Sequence, residues 1–203
     1  MKYFLDTEFI EGFHKPLFGK RRHFIDLISI GIVAEDGRFY YAQSNEYDPK
    51  DADMWVQEHV IQKLYGTEDY PELWKTNAQI VQEVFEFCTG DTLTLEKAKY
   101  YEVDYESKNI EFYAYYADYD WVLFCSLFGR MIDLPKGFPM YCNDLKQTFD
   151  EKKLPESELK NCNVSVVNKT LKDHYLYPKQ TTEHNALADA KWNYELYKFL
   201  KSL

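Results

Sequence analysis

Strand signals fill the first 43 residues, and they limit the folds open to this chain more than any other feature. Residues 2–9 are predicted to form a strand that begins with an apolar run, and residues 24–37 form a β-branched run that ends in an Asp-Gly turn. Residues 38–43 follow that turn as a hairpin partner. These segments predict three opening strands that pair antiparallel, at least in part.

Helix and strand patterns alternate over the rest of the chain, which predicts an α/β fold with a mixed central sheet flanked by helices. Helices are predicted over residues 53–65, 76–87, 119–131, 145–152 and roughly 183–200, and further strands over 110–116 and 139–142. Gly90 is expected to help end the second helix. Asn143 or Asp144 should cap the fourth helix, and Thr181 or Thr182 the last.

The length of 203 residues predicts one domain over 1–203. Residues 89–109 lack a clear period and are rich in Tyr, Glu and Lys. This stretch is predicted to be an insertion, formed either by a hairpin arm or by helix.

Charge and cysteine content narrow the class of protein. The 24 Lys and Arg residues against 34 Asp and Glu residues give a net charge of −10, which disfavours a protein that coats nucleic acid by bulk electrostatics. The cysteines are widely spaced and form no paired metal-ligand motif, and the N-terminus lacks a signal-peptide pattern. No segment approaches the ~20 apolar residues of a membrane span. We expect a cytoplasmic protein with reduced thiols and no membrane partner.

Carboxylates at the first strand carry the strongest chemical signal. Asp6 and Glu8 lie two residues apart, so their side chains should share one face of the strand. Asp120 and Asp189 complete a set of four, with His184 five residues before the last. Carboxylate oxygens are the ligands that Mg²⁺ and Mn²⁺ prefer, and two such ions can serve phosphodiester cleavage. Each residue alone is weak support, but the ordered combination predicts a two-metal site.

A basic segment follows the first strand. Residues 14–23 contain Lys15, Lys20, Arg21 and Arg22 and no acidic residue. The segment is interpreted either as a phosphate-contacting loop or as a solvated basic turn.

The motifs Asp6-Thr7-Glu8-Phe9, Tyr119-Asp120 and His184 followed by Asp189 closely resemble the DEDDh 3′ to 5′ exonuclease superfamily, which includes polymerase proofreading domains, ribonuclease T and oligoribonuclease. Within it, residues 25–37 and 55–64 look like the small bacterial 3′ to 5′ exoribonucleases. The resemblance implies a ribonuclease H-like fold and a single exonuclease domain. It selects Asp120 as the ligand over Asp118, which then becomes the predicted N-cap of the helix over 119–131.

The resemblance also implies an activity: metal-dependent removal of nucleoside 5′-monophosphates from the 3′ ends or overhangs of single-stranded RNA. Two divalent ions, Mg²⁺ or Mn²⁺, would be held by the four carboxylates, and His184 would act as the general base. Phe9 and Trp55 resemble residues that pack the terminal nucleotide. Core packing is the alternative for both, and it explains Trp55 equally well. Homodimers are common among such relatives.

Two alternatives remain at this stage. The same chemistry could act on DNA, because no motif reports the contact to a 2′ hydroxyl that distinguishes RNA. A catalytically idle member that binds nucleic acid or a protein is the other alternative. The intact set of five residues argues against it, because a binding module has no need of four mutually repelling carboxylates.

Overall fold

One mixed β-sheet organises the protein in a computed structural model that describes residues 1–14, 18–152, 171–180 and 182–203. Across these residues the strands lie in the order β4-β3-β2-β1-β5-β6. Their bounds are β1 Lys2–His14, β2 Arg22–Ala34, β3 Phe39–Ser44, β4 Trp74–Lys75, β5 Glu111–Ala114 and β6 Asn143–Asp144.

The opening strands pair antiparallel, as predicted: β1 with β2, and β2 with β3. The other neighbours, β1 with β5, β5 with β6 and β3 with β4, pair parallel. The α/β prediction with a mixed central sheet is therefore confirmed, and the arrangement is consistent with a ribonuclease H-like fold.

Helices cover both faces of the sheet. Their bounds are α1 Met54–His59, α2 Asn77–Thr89, α3 Leu95–Tyr100, α4 Ala117–Leu127, α5 Leu145–Glu151 and α6 Ala186–Ser202. Consecutive residues of β1 pack against helices on opposite faces of the sheet. Leu5 packs in one cluster with Phe85 of α2 and Phe124 of α4, whereas Phe4 packs with Ala190 of α6. Helix α6 thus covers one face and α2 with α4 the other, because successive side chains of a strand point in opposite directions.

Local hydrogen bonds explain several helix boundaries. Thr76 and Gln79 form a capping box at the start of α2, and Gly90 ends that helix in the left-handed region with φ 66°, as expected. Asp144 caps α5, which confirms one of the two residues proposed there. Asp144 is also the last residue of β6. The strand predicted over 139–142 is instead two residues long and lies at 143–144.

Two predicted caps are wrong. Tyr116, with φ 60°, is the N-cap of α4, and the exposed Asp118 lies in the first turn of that helix. Asn185 caps α6 by accepting a hydrogen bond from the Ala188 amide at 3.1 Å, so Thr182 is not the cap. Thr181 lies outside the described residues.

The helix predicted over 53–65 is shorter than expected. Asp53 caps α1 through the amide of Val56, the helix ends at His59, and a 3-10 turn over Ile61–Lys63 follows. The stretch 89–109 is helical rather than a hairpin arm, since it holds α3 and a 3-10 turn over Glu106–Lys108. That it is an insertion stays a prediction.

The β1–β2 hairpin is long and extends beyond the other strands of the sheet. Its pairing continues to His14 opposite Arg22, with a shift of register between Glu8 and Phe9. Ile10 and Ile28 on this hairpin pack against Val60, which follows α1 directly. This contact holds α1 beside the middle of β1. None of the helices in the described ranges has the length and apolar character that a bilayer crossing requires.

Candidate active site

Asp6 and Glu8 lie side by side on the face of β1 that α6 crosses. The strand pairs Asp6 with Gly31 and Glu8 with Ser29 on β2. Asn193 of α6 is buried and donates its side-chain amide to the carbonyl of Leu5 at 2.9 Å. That bond fixes the helix to the strand at the residue immediately before Asp6.

Asp189 is held by the segment that leads into α6. Its Oδ2 accepts hydrogen bonds from the amides of His184 at 2.9 Å and Asn185 at 3.2 Å. His184 adopts a left-handed backbone with φ 63°, which turns its amide toward this carboxylate. The side chain of Gln180 donates to the other oxygen, Oδ1. The carboxylate is therefore fixed within the first turn of the helix.

The structure brings three predicted ligands together. One carboxylate oxygen from each of Asp6, Glu8 and Asp189 lies within 4.8 Å of the other two. Oxygen atoms so spaced can share a divalent cation.

Asp120 lines the same cleft from α4, on the other side of the sheet. Its carboxylate is buried, and Oδ1 accepts two hydrogen bonds from Thr7: one from the backbone amide at 2.7 Å and one from Oγ1 at 2.6 Å. Asp118 is exposed, so burial favours Asp120 as the fourth ligand, in line with the sequence prediction.

The four carboxyl groups are electrostatically strained. Burial raises the pKa of Asp6 well above its usual value, and the charges of Asp120, Glu8 and Asp189 raise it further. Burial, followed by the charges of Asp189 and Asp120, raises the pKa of Glu8 to about 8. Burial raises the pKa of Asp120 to about 7 and also raises that of Asp189.

No Lys or Arg side chain lines the cleft among the described residues. Lys63 acts from outside it: its charge lowers the pKa of Glu8, and its Nζ donates to the carbonyl of Glu183 at 3.3 Å. A set of hard oxygen donors whose described lining contains no Lys or Arg fits divalent metal ions, because their charge would relieve the repulsion.

His184 lines the cleft, and its side chain is 35% exposed. Its ring lies nearly perpendicular to that of Trp55, with the centroids 4.7 Å apart. Trp55 in turn stacks on His59 at 4.9 Å and 12°. The His184 imidazole is thus oriented by an aromatic pair on α1 while still reaching solvent, a setting in which a general base can meet water.

Of the two aromatic residues predicted to pack a nucleotide, Phe9 lines the cleft and Trp55 contacts the cleft residue His184. Phe9 lines the cleft and stacks on Tyr119, with ring centroids 5.6 Å apart and nearly parallel planes. Trp55 is 50% exposed. An exposed ring beside His184 is available to a ligand, whereas a core residue would be buried.

Arg21 and Arg22 are not brought to the cleft. Both are exposed at the outer end of the long hairpin, where Arg22 begins β2 and pairs with His14. His14 lies six positions along β1 from Glu8, which is roughly 20 Å at the usual rise of a strand. Lys15 lies outside the described residues.

Sequence reasoning missed Thr7 and Gln180 as partners of the carboxylates. A polar residue on the core-facing side of β1 is a signal that could have identified Thr7. Gln180 lies in an irregular segment, and no pattern marks it. The cleft has a volume of about 370 Å³, within the range of small-ligand sites. It is also lined by the aromatic residues Tyr115, Tyr116 and Trp192.

Comparison with known proteins gives consistent matches. The family model described as the 3'-5' exoribonuclease Rv2179c-like domain matches residues 1–200. Two relatives from Mycobacterium tuberculosis are similar: the 3'-5' exoribonuclease Rv2179c of strain ATCC 25618 / H37Rv and the 3'-5' exoribonuclease MT2234.1 of strain CDC 1551 / Oshkosh. Each is 33% identical over 202 residues, covering 100% of this chain and 94% of the relative. The matched range includes every residue that lines the cleft, from Asp6 to Asn193.

Proposed function

Because this chain belongs to the family of the 3'-5' exoribonuclease Rv2179c-like domain, we propose that it is a metal-dependent 3′ to 5′ exoribonuclease of the DEDDh type. We infer the metal dependence from the carboxylate oxygens of Asp6, Glu8 and Asp189, which lie within 4.8 Å of one another, with Asp120 in the same cleft. The proposed reaction removes nucleoside 5′-monophosphates from the 3′ ends or overhangs of single-stranded RNA.

The donor set fits two divalent ions, Mg²⁺ or Mn²⁺. Asp6, Glu8 and Asp189 would hold one ion, and Asp120 together with Asp6 would hold the other. Ions in this arrangement would supply the positive charge that stabilises the attacking and leaving oxygens of the phosphodiester.

His184 is proposed to accept a proton from the attacking water. An imidazole nitrogen can accept a proton from water, and the His184 ring lies in the cleft without taking part in the carboxylate cluster. The left-handed backbone and the hydrogen bond to Asp189 hold its main chain, while Trp55 limits the rotation of the ring.

Phe9 and Trp55 are proposed to contact the bases at the 3′ end of the substrate. A base stacked on an aromatic ring gains ~1–3 kcal/mol, whatever its sequence. Arg21 and Arg22 are proposed to contact phosphates of the same strand farther from the cleft. A homodimer and a cytoplasmic location are proposed on the resemblance and the composition alone, and light scattering of the purified protein tests the first.

The direct experiment follows 5′-labelled RNA and DNA of one sequence, with Mg²⁺, Mn²⁺ or EDTA. We expect a ladder that shortens from the 3′ end on RNA, requires the metal, and disappears in Asp6→Asn. Asp118→Asn is the matched control, because Asp118 is an exposed acid two residues from Asp120 and should leave the ladder intact.

The other outcomes separate the alternatives. Equal shortening of DNA would make the protein a general exonuclease. Metal-independent cleavage would contradict the two-ion proposal. Binding of RNA without cleavage would favour the idle binding module.

A further inference from the structure

Thr7 occupies an unusual position between the two carboxylates of β1. Asp6 and Glu8 point toward the face covered by α6, so Thr7 points toward the opposite face, where α4 lies. Thr7 is 6% exposed and Asp120 is 7% exposed. Thr7 therefore connects β1, which carries Asp6 and Glu8, to α4, which carries Asp120.

Both hydrogen bonds from Thr7 go to the same oxygen of Asp120. The amide donates at 2.7 Å and Oγ1 donates at 2.6 Å, and both end on Oδ1. A carboxylate oxygen has two lone pairs, and two donors at such short distances occupy both. Oδ2 is then the oxygen of Asp120 that can be offered to a cation.

The remaining ligands are held by different elements. Asp189 is fixed by the amides of His184 and Asn185 and by Gln180, all in the segment that enters α6. Among the described residues, none of these groups contacts Thr7 by hydrogen bond. The orientation of Asp120 therefore depends on Thr7 separately from that of the Asp6, Glu8 and Asp189 cluster.

We propose that Thr7 is a positioning residue that orients Asp120 and so controls the affinity of one of two metal ions selectively. The proposal rests on the proposed two-ion site. In this assignment, Thr7 affects the affinity for the ion that Asp120 helps to hold. The affinity for the ion held by Asp6, Glu8 and Asp189 does not depend on Thr7.

Calorimetric titration of the full chain with Mn²⁺ tests this assignment. Wild type is expected to bind two ions in resolvable steps. Thr7→Val keeps the side-chain volume but removes the hydroxyl donor, and we expect it to weaken one step by about 10–100-fold, the usual effect of losing a partner of a metal ligand. The other step should be unchanged. Thr7→Ser restores the donor and should restore both steps.

Two controls separate positioning from general damage. Thr89 is also buried and donates its hydroxyl to the carbonyl of Phe85 at 2.7 Å, so Thr89→Val removes a comparable bond away from the cleft and should leave both steps intact. In an Asp120→Asn background, Thr7→Val should have no further effect on Mn²⁺ binding, because the group it orients is already altered.

The outcomes are distinct. Unchanged binding in Thr7→Val, equal weakening of both steps, or additivity with Asp120→Asn would each overturn the role of Thr7 while the two-ion site stands. A wild type that binds one ion would overturn the assignment by removing the second site. A wild type that binds no Mn²⁺ would overturn the proposed metal dependence itself, and the role of Thr7 with it.

Discussion

Gly31 of β2 lies directly against the backbone of Ala186 at the start of α6. A Cβ built on Gly31 would lie 2.2 Å from the Ala186 carbonyl oxygen and 2.5 Å from the amide nitrogen of Leu187. Gly31 is also the residue that pairs with Asp6 across the sheet. The absence of a side chain at this one position lets the helix that carries Asp189 approach the strand that carries Asp6 and Glu8.

Gly31→Ala should therefore move α6, which carries Asp189, away from β1, which carries Asp6 and Glu8. The obstructing atoms belong to the backbone and cannot rotate away, so we expect a loss of about 1–3 kcal/mol in the free energy of unfolding, as for overpacked cores. RNA hydrolysis and Mn²⁺ binding should fall together. Gly66→Ala is the matched control, because its Cβ would meet only a carboxylate oxygen of Asp69 at 3.7 Å. Urea denaturation and Mn²⁺ titration of both variants measure these effects; a Gly31→Ala protein with normal Mn²⁺ affinity would contradict the prediction.

His184→Ala should remove turnover and leave metal binding largely intact. Loss of a general base costs about 10²–10⁴-fold in rate, and the imidazole is not part of the carboxylate cluster. The measurements are kcat on single-stranded RNA and calorimetry with Mn²⁺. His23→Ala provides the control, since that exposed histidine pairs with Glu11 on the hairpin. If Mn²⁺ binding disappeared with His184, the residue would be a ligand or a structural element instead of a base.

Stability of the metal-free protein should fall as the pH rises. An acid whose pKa is raised by folding stabilises the protein below its unfolded pKa and loses that contribution as the pH passes through the folded value. The pKa of Glu8 is raised to about 8 and that of Asp120 to about 7, so the loss should extend from about pH 4 to about pH 8. Asp6→Asn removes one of the repelling charges.

Thermal unfolding in EDTA checks this directly. At pH 8 we expect Asp6→Asn to be more stable than wild type by about 1.4 kcal/mol or more, the value of one pKa unit. The difference should vanish near pH 4 and reverse when Mn²⁺ is added, because wild type alone then gains its ligand. Asp118→Asn, on the exposed turn of α4, should follow wild type throughout. An Asp6→Asn protein less stable than wild type at pH 8 in EDTA would show that the carboxylates do not repel as inferred.

The periodicity and order of residues in the sequence were sufficient to predict the three opening strands and to place Asp6 and Glu8 on the same face of β1. These features depend on local backbone geometry, which the sequence expresses directly. The left-handed cap at Tyr116, the early end of α1 at His59 and the bond from Gln180 to Asp189, nine residues further on, depend on individual backbone and side-chain contacts that leave no period in the sequence. No local propensity encodes such contacts, and a left-handed Tyr opposes propensity outright.

The distance between the basic hairpin end and the cleft predicts a dependence on substrate length. Arg22 pairs with His14, which lies roughly 20 Å from Glu8 along β1, and Arg21 precedes Arg22 directly. At a spacing of roughly 3.4 Å per stacked nucleotide, contacts there reach a phosphate about six nucleotides upstream of the cleft. A dinucleotide cannot extend that far.

Replacing both arginines with Gln should therefore raise KM for an RNA of about twelve nucleotides and leave a dinucleotide unaffected. We expect a loss of roughly tenfold at low salt that shrinks as salt is added, because contacts to phosphate act through counterion release. Arg130→Gln is the control, since that exposed arginine pairs with Asp133 at the far end of α4. An equal rise in KM for both substrates would place the arginines at the terminal nucleotide, and no change for either would identify the segment as a solvated turn, because an RNA strand bound there must lose affinity when its cationic contacts are removed.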